Sequence, residues 1–230
     1  MPVKSVAAAY RNEEAELRPF YSAWPRELLT NKSATGACWP GLTQELAVYQ
    51  ASIGNPPVEF GESFVVTGQQ PALFTGPLYT VYKIATAIRL AKEISKRHGI
   101  CCTPVFWQGS DDHDFEEARS ATVLTKNHEP LTLTYEPMHD VAGLPMYRVP
   151  LDNSAHDLVD RAADATPGSE FRDEVRAFLH GSLSAASSLA DWSARIIARL
   201  FAGSGLVVFT SECRSARQAA RDIIKKEIYE

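Results

Sequence analysis

The chain has 230 residues, of which 45% are hydrophobic and 22% are charged, a balance typical of a globular protein with a substantial core. Its net charge of -5 argues against a general nucleic-acid-binding protein, because such proteins are usually basic. The sequence contains no apolar run of the roughly 18 residues that a membrane helix needs, and its first residues lack the apolar segment of a signal peptide. We therefore expect a cytoplasmic protein without nucleic-acid or membrane partners.

The first residues, 1–60, are predicted to form a helical segment that packs on the core. Residues 7–23 and 42–52 have helical patterns, and prolines follow each of them. Aromatic clusters are usually part of a core. Three aromatic side chains are expected to anchor this segment against the main sheet: Phe20, Trp24 and Trp39.

A strand, a loop and a helix are predicted next. The apolar, β-branched run at residues 64–66 indicates a buried strand, followed by a polar, glycine-bearing loop over residues 67–76. Pro77 suits the first position of a helix, with Gly76 as its N-cap. The helical spacing of apolar residues continues to a basic last turn, and Gly99 is typical of a left-handed C-terminal cap.

A second strand, predicted over residues 103–107, leads to the acidic turn at residues 111–114. The two strands with their helix should form a right-handed crossover and lie parallel. Because open α/β sheets bind ligands at the carboxyl ends of their strands, we expect the loops after both strands to form the site.

The second half of the chain is predicted to contain a small β-rich insertion and then helices. Strand-like patterns cover residues 121–125, 131–135 and 146–151, and the alternation in the second favours an antiparallel pair. Helical patterns follow to about residue 202 and are divided at Pro167.

An apolar strand at residues 206–209 should join the parallel sheet, and a last helix should cover residues 214–230. One face of that helix is basic. We interpret it as a solvated face in preference to a phosphate site. It carries Arg214, Arg217, Arg221 and Lys225.

The loop at residues 67–76 lacks both the GxGxxG and the GxxxxGK[ST] phosphate motifs. Its glycines, the amides of Gln69 and Gln70, and the free N–H groups of the following helix still suit an anion, so an ordinary turn and a phosphate site both stay open. Lys83 follows Tyr79 by four residues and shares its helix face. Lys83 either reaches a phosphate or carboxylate or is a surface lysine.

The acidic turn at residues 111–114 surrounds His113 with carboxylates, and Glu116 and Glu117 follow. Such a group can bind a divalent cation or orient the imidazole for proton transfer, whereas aspartates before a helix are also ordinary caps. The short spacing does not suit a metal face on a helix, so we assign no metal ligand. The four cysteines (Cys38, Cys101, Cys102 and Cys213) fit neither a zinc nor a disulfide spacing, and we expect reduced thiols.

The runs VVTGQQPALFTGPLYTVYKI and TPVFWQGSDDHDFEEA resemble the cysteine-adding enzymes of bacillithiol biosynthesis, the BshC family, from about residue 60 to the end. The resemblance implies an α/β fold over residues 61–230: a Rossmann-like parallel sheet with flanking helices, similar to class I synthetases and nucleotidyltransferases, with a β-rich insertion near residues 121–151. Family members are about twice as long, so we expect the C-terminal half of the family's chain to be missing and the sheet to be incomplete. The full-length family forms homodimers.

By this resemblance, the reaction joins cysteine to glucosaminyl malate after activation by ATP or another adenine nucleotide; the resemblance itself implies no metal, although magnesium can bind with the nucleotide. The implied catalytic residues are Lys83, Asp112 and His113. The implied binding residues are Gly68, Gln69, Gln70, Gly76, Pro77, Tyr79, Asp114, Thr210 and Ser211. Tyr82 stands where many members have histidine. A non-catalytic nucleotide- or metabolite-binding fragment is the second hypothesis, and a metal-dependent hydrolase is the third.

Overall fold

The computed structural model describes residues 5–24, 26–27 and 41–229. The strands are β1 Ser63–Gln69, β2 Cys102–Gln108, β3 Ser120–Leu124, β4 Pro130–Thr134 and β5 Val207–Thr210. The helices are α1 Val6–Arg11, α2 Leu42–Ser52, α3 Leu78–His98, α4 Phe115–Ala118, α5 Asn153–Ala165, α6 Arg172–Ser184, α7 Leu189–Leu200 and α8 Arg214–Tyr229. Across these residues, no helix combines the length and the apolar character needed to cross a membrane.

The centre of the fold is a three-stranded parallel sheet in the order β1-β2-β5. Helices α3 and α7 pack on one face of it, where Ile84, Ile88 and Ile197 bury their side chains against Phe106 and Val208. The predicted strand–helix–strand unit is confirmed, and the apolar strand near residue 206 joins the same sheet as expected.

Helix α3 follows its local signals closely. It begins at Leu78, with Pro77 as the N-cap. The N-cap and the first helical residue therefore each lie one position later in the sequence than predicted. Gly99 ends it in the left-handed region at a φ of 64°. Strand β1 is longer than predicted because it pairs with β2 as far as the Gln69–Gln108 register, and the polar loop therefore begins at Gln70 rather than residue 67.

The prediction that β1 is buried is wrong for one of its faces. Phe64 and Val66 are 50% and 57% exposed, and Trp107 of β2 is 49% exposed. Helix α2 covers this face beside β5, where Leu46 packs with Val207 and Phe209, and Val105 of β2 packs against the same cluster. The sequence pattern cannot show this, because an edge strand and a central strand have similar composition.

Helix α2 also closes the outer edge of β5. The buried Gln50 amide donates to the Val208 carbonyl at 2.8 Å and accepts from the Val208 N–H at 2.9 Å, as a neighbouring strand would. Asn55 donates to the Leu206 carbonyl at 2.9 Å. These bonds attach the segment around α2 to the sheet, across more than 150 positions in sequence.

The first residues form less helix than predicted. Helix α1 and a 3-10 helix at Ala15–Phe20 flank Glu13, whose φ of 56° interrupts the helical conformation. The prediction that Phe20 anchors this segment is wrong, because its side chain is 79% exposed. Trp24 packs on Tyr10, with ring centroids 5.8 Å apart, and Trp39 lies outside the described residues.

Strands β3 and β4 form the expected antiparallel hairpin, with register Thr122↔Thr132 at its centre. The third predicted strand, at residues 146–151, is wrong. Met146–Arg148 is a 3-10 helix, and two of its N–H groups bond to the loop after β2 instead of to a neighbouring strand. Met146 donates to the Asp112 carbonyl at 2.8 Å and Tyr147 to the Ser110 carbonyl at 3.0 Å. This short helix therefore rests against the loop that follows β2.

Candidate functional site at the strand ends

Lys83 lies at the carboxyl end of β1. Its ammonium donates to the Gly68 carbonyl and, at 3.1 Å, to Gln69 Oε1. The ammonium also lies 5.3 Å from the centroid of the Tyr79 ring, as the shared helix face predicts. Within the described residues no ion pair joins Lys83 to a carboxylate, so neutral oxygens hold its charge without cancelling it. Lys83 therefore contacts the end of β1, and its role in ligand binding stays a prediction.

Two glycines allow the backbone around Lys83 to approach closely. A Cβ at Gly68 would lie 2.9 Å from the Trp107 carbonyl oxygen, so only glycine fits between β1 and β2 here. Gly76 has a φ of 78° and follows Phe74 and Thr75, which also have positive φ values of 51° and 74°. Positive φ is uncommon in these two residue types, and this turn brings the chain to the start of α3.

The start of α3 contributes N–H groups beside Lys83. The first N–H groups of a helix have no partner within it, and the helix dipole makes this end positive. Leu78 and Tyr79 are exposed in this first turn, and Pro77 contributes no N–H group. The arrangement can bind an anionic group between Lys83 and the helix start.

Hydrogen bonds tie the three strand ends together. The Gly109 N–H donates to the Gln69 carbonyl at 3.1 Å, which joins the ends of β1 and β2. The buried Ser110 hydroxyl lies 3.0 Å from Thr210 Oγ1 and 2.8 Å from Ser211 Oγ, which joins β2 to β5. The sequence predicts binding roles for Thr210 and Ser211 but none for Ser110.

Gln70 lies next to this junction, since a Cβ on Gly109 would stand 3.9 Å from its Cα. At the end of β5, Thr210 Oγ1 donates to the Glu212 carboxylate at 3.4 Å. Desolvation raises the pKa of the Glu212 carboxyl, and this hydrogen bond and the charge of Arg217 oppose the shift. The strand ends therefore combine hydroxyls and amides with one carboxyl whose pKa is raised.

The acidic turn after β2 is built mainly by local caps. Asp112 Oδ1 accepts from the Asp114 N–H at 2.9 Å, and Asp114 accepts from the Glu117 N–H at 3.4 Å as the N-cap of α4. His113 is exposed, and among the described residues no hydrogen bond or ion pair connects it to Lys83. The described part of the chain also holds no group of three or more side chains placed to bind a metal ion.

The basic face of α8 is exposed at all four predicted positions, which confirms its interpretation as a solvated face, and one of its residues also contacts the strand ends. Arg217 Nε donates to the Ser211 carbonyl at 2.6 Å, and its guanidinium lies 6.0 Å from the Tyr147 ring centroid. No signal in the sequence separates Arg217 from the other basic residues of α8, because its partners come from β5 and the insertion.

The start of α8 is capped from α2. The Glu45 carboxylate accepts from the N–H groups of Arg214 and Ser215 at 2.7 and 2.8 Å. The hydrogen bonds from Ser215, opposed by desolvation, lower the pKa of Glu45 from 4.5 to about 2. A charged side chain of the first segment therefore fixes the loop that follows β5.

A parallel sheet whose crossover helices pack against it defines a Rossmann-like α/β fold, in which ligands usually bind at the carboxyl strand ends. A family model described as "Bacillithiol biosynthesis BshC, N-terminal Rossmann-like domain" matches residues 59–230. The chain belongs to the BshC family.

Curated relatives agree with this assignment. The "Putative cysteine ligase BshC" of Salinibacter ruber is 38% identical over 164 residues, and that of Natranaerobius thermophilus is 37% identical over 164 residues. Each match covers 71% of this chain and 30% of the relative. The protein of the same name from Symbiobacterium thermophilum is 36% identical, covering 66% of this chain and 29% of the relative. The matched region is thus less than a third of each relative.

Proposed function

We propose that this chain supplies the nucleotide- and substrate-binding part of a ligase that joins cysteine to the amino group of glucosaminyl malate in bacillithiol biosynthesis. The names of its relatives support the ligase class. The observation that carries the proposal is Lys83, a cation held at the carboxyl end of β1 by neutral oxygens, beside the start of α3.

In this proposal, phosphate groups of ATP lie between Lys83 and the first turn of α3. The ammonium and the free N–H groups are both positive there, and the phosphates need both charge and donors. Gln69 and Gln70 add amide groups for the nucleotide or for the cysteine substrate. The cysteine carboxylate would displace ADP or pyrophosphate from the nucleotide, and the attacking amine would then expel phosphate or AMP as the amide forms. Lys83 stabilises the negative charge of the phosphates.

In the same proposal, the acidic turn after β2 supplies the group that accepts a proton. His113 is exposed to solvent and accepts the proton that the attacking sugar amine loses, while Asp112 fixes the turn through its bond to the Asp114 N–H. Thr210 and Ser211, tied to Ser110, form the opposite wall.

A non-catalytic binding role is the second candidate, and the lack of contact between the proposed phosphate-binding and proton-accepting side chains favours it. Among the described residues, Lys83 and His113 share no contact. The chain in isolation then binds the nucleotide without completing the reaction.

Titration calorimetry of the purified chain with ATP, with and without magnesium, tests the binding step. Lys83→Met keeps the aliphatic stem but removes the charge, and we expect a loss of affinity of about tenfold or more because a charge-assisted bond contributes about 1.5–3 kcal/mol. Lys92→Met is the matched control, since Lys92 is exposed further along α3. Equal affinity of wild type and Lys83→Met would contradict the proposal.

A full-length family member tests the catalytic step. Changing the residue aligned with His113 to alanine should lower the ligation rate about 100-fold or more while nucleotide affinity stays the same. Unchanged turnover would remove His113 from the reaction and leave the binding role.

A further inference from the structure

A large cavity in the described part of the chain lies next to the strand-end site and shares Gly76, Pro77 and Leu78 with it. It has a volume of about 810 Å³ and opens between the start of α3, the β3–β4 hairpin and helices α5 to α7. Its walls are mainly apolar and include Phe74, Val81, Val123, Val159, Leu179 and Ile196. Pockets for small ligands range over roughly 300–1,000 Å³ and have mostly apolar walls, so this cavity has the size and lining of a binding site.

Arg172 brings an uncompensated charge to the wall. One of its terminal nitrogens, Nη2, donates to the Thr166 carbonyl at 3.0 Å, but its buried Nε has no hydrogen-bond partner. Within the described residues, no ion pair joins Arg172 to a carboxylate. A buried charged donor without a partner is costly, and a ligand that accepts its hydrogen bond would remove that cost.

The neighbouring Arg176 shows the contrast on the same wall. Its guanidinium lies 2.7 Å from Asp160 Oδ1 and 3.9 Å from Asp164 Oδ1, so carboxylates of α5 already neutralise it. Both arginines line the cavity, but only Arg172 keeps its charge for a ligand. The cavity therefore offers one anion-binding point in an otherwise apolar chamber.

We propose that this cavity binds a small amphipathic carboxylate, with its apolar body between α5, α6 and the hairpin and its carboxylate on Arg172. The guanidinium fork suits a carboxylate through paired N–H donors. Hydroxyls of Thr122 and Ser169 lie on the same lining and can bind the remaining carboxylate oxygen. Lys83 does not line this cavity, although Gly76 and Pro77 at the start of α3 border both sites, and the carboxylate contact on Arg172 does not depend on the proposed ligase reaction.

Octanoate and its neutral analogue octan-1-ol are suitable probes, because they share the chain and differ in the charged group. Titration calorimetry in buffer without nucleotide should show octanoate binding at one site. Arg172→Gln should weaken octanoate binding about tenfold and leave octanol binding unchanged, since only the anion uses the guanidinium. Arg161→Gln, at an exposed position of α5, is the matched control and should bind octanoate as the wild type does.

A second variant tests the location. Ala162→Phe places a ring in the cavity and should abolish octanoate binding, with retained ATP binding or a cooperative unfolding transition as the check on folding. Absence of saturable octanoate binding to the wild type would overturn the proposal. Equal octanoate affinity in the wild type and Arg172→Gln, or undiminished binding to folded Ala162→Phe, would also overturn it.

Discussion

The loops that follow β1 and β2 leave the same edge of the sheet but are held in different ways. After β1, the hydrogen bonds join residues that are distant in sequence. The Lys83 ammonium donates to Gly68 and Gln69, and the Gly109 N–H donates to the Gln69 carbonyl. After β2, the acidic side chains bond over two or three positions, because Asp112 accepts from the Asp114 N–H and Asp114 from the Glu117 N–H. Distant residues bond there to the backbone carbonyls of Ser110 and Asp112.

The difference separates two roles that charged residues near a strand end can have. Local capping satisfies the N–H groups of a short helix and explains the aspartates without a ligand. A lysine held by neutral carbonyls is not explained in this way, because carbonyls alone leave its charge available. We therefore expect changes around β1 to have large effects and changes in the caps to have small ones.

The largest effect on stability is expected for Gly68→Ala. The added Cβ would lie 2.9 Å from the Trp107 carbonyl, and β1 must shift away from β2 to relieve it. We expect the free energy of unfolding in urea to fall by about 2–3 kcal/mol, in the upper range for an overpacked site. Gly181→Ala is the control, because no atom lies within 4 Å of its Cβ position in α6 and the change should stabilise the helix by about 0.5–1 kcal/mol. Equal stabilities for the two variants would show that β1 has room to move.

An intermediate effect is expected at the third strand end, where Glu45 caps α8 from a distance. Its pKa falls from 4.5 in the unfolded chain to about 2 in the fold, so its contribution is fully present above pH 4.5 and is lost as the pH falls toward 2. Glu45→Gln should lower the free energy of unfolding by about 1 kcal/mol at pH 7, and the difference from the wild type should shrink below pH 4.5.

Urea unfolding at several pH values between 7 and 2.5 measures that difference. Glu93→Gln removes an exposed carboxylate that pairs with Arg97 and should have almost no effect at pH 7. A Glu45→Gln difference that stays constant down to pH 2.5 would contradict the role of the ionised carboxylate.

The smallest effect is expected for Asp114→Ala, which removes the cap of α4. The capping bond is long at 3.4 Å, so we expect a loss of about 0.5 kcal/mol in unfolding free energy, at the low end for an N-cap. Calorimetry should show ATP affinity within twofold of the wild type. A tenfold loss of ATP affinity, without the same loss in Asp111→Ala, would instead place the turn in the nucleotide site.

The parts of the fold that local signals determine could be predicted from the sequence. The α3 helix with its basic last turn and Gly99 is one example, and the antiparallel β3–β4 pair is another. The strand predicted at residues 146–151 failed because its N–H groups bond to the loop after β2, which composition does not reveal. The exposure of Phe64 was missed because it depends on which helices cover the sheet.

In the candidate site, too, the local features could be predicted from the sequence and the long-range contacts could not. The residue types at the strand ends were predictable because glycine, glutamine and lysine follow an apolar strand. The direction of Lys83 was not, since a helical pattern does not show which side of α3 faces the end of β1. Ser110 was missed for a similar reason, because its partners Thr210 and Ser211 lie 100 and 101 positions away.

The Gln50 amide bonds to both backbone groups of Val208, and this determines at which edge the sheet can be extended. A new strand beside β5 would have to displace two good hydrogen bonds, whereas β1 has a strand neighbour on one side only among the described residues. Any strand that extends this sheet, from a longer chain or from another molecule, is therefore expected to join beside β1. Such a strand would lie next to Gly68 and Gln69, so that lengthening the sheet and completing the ligand site become the same structural event.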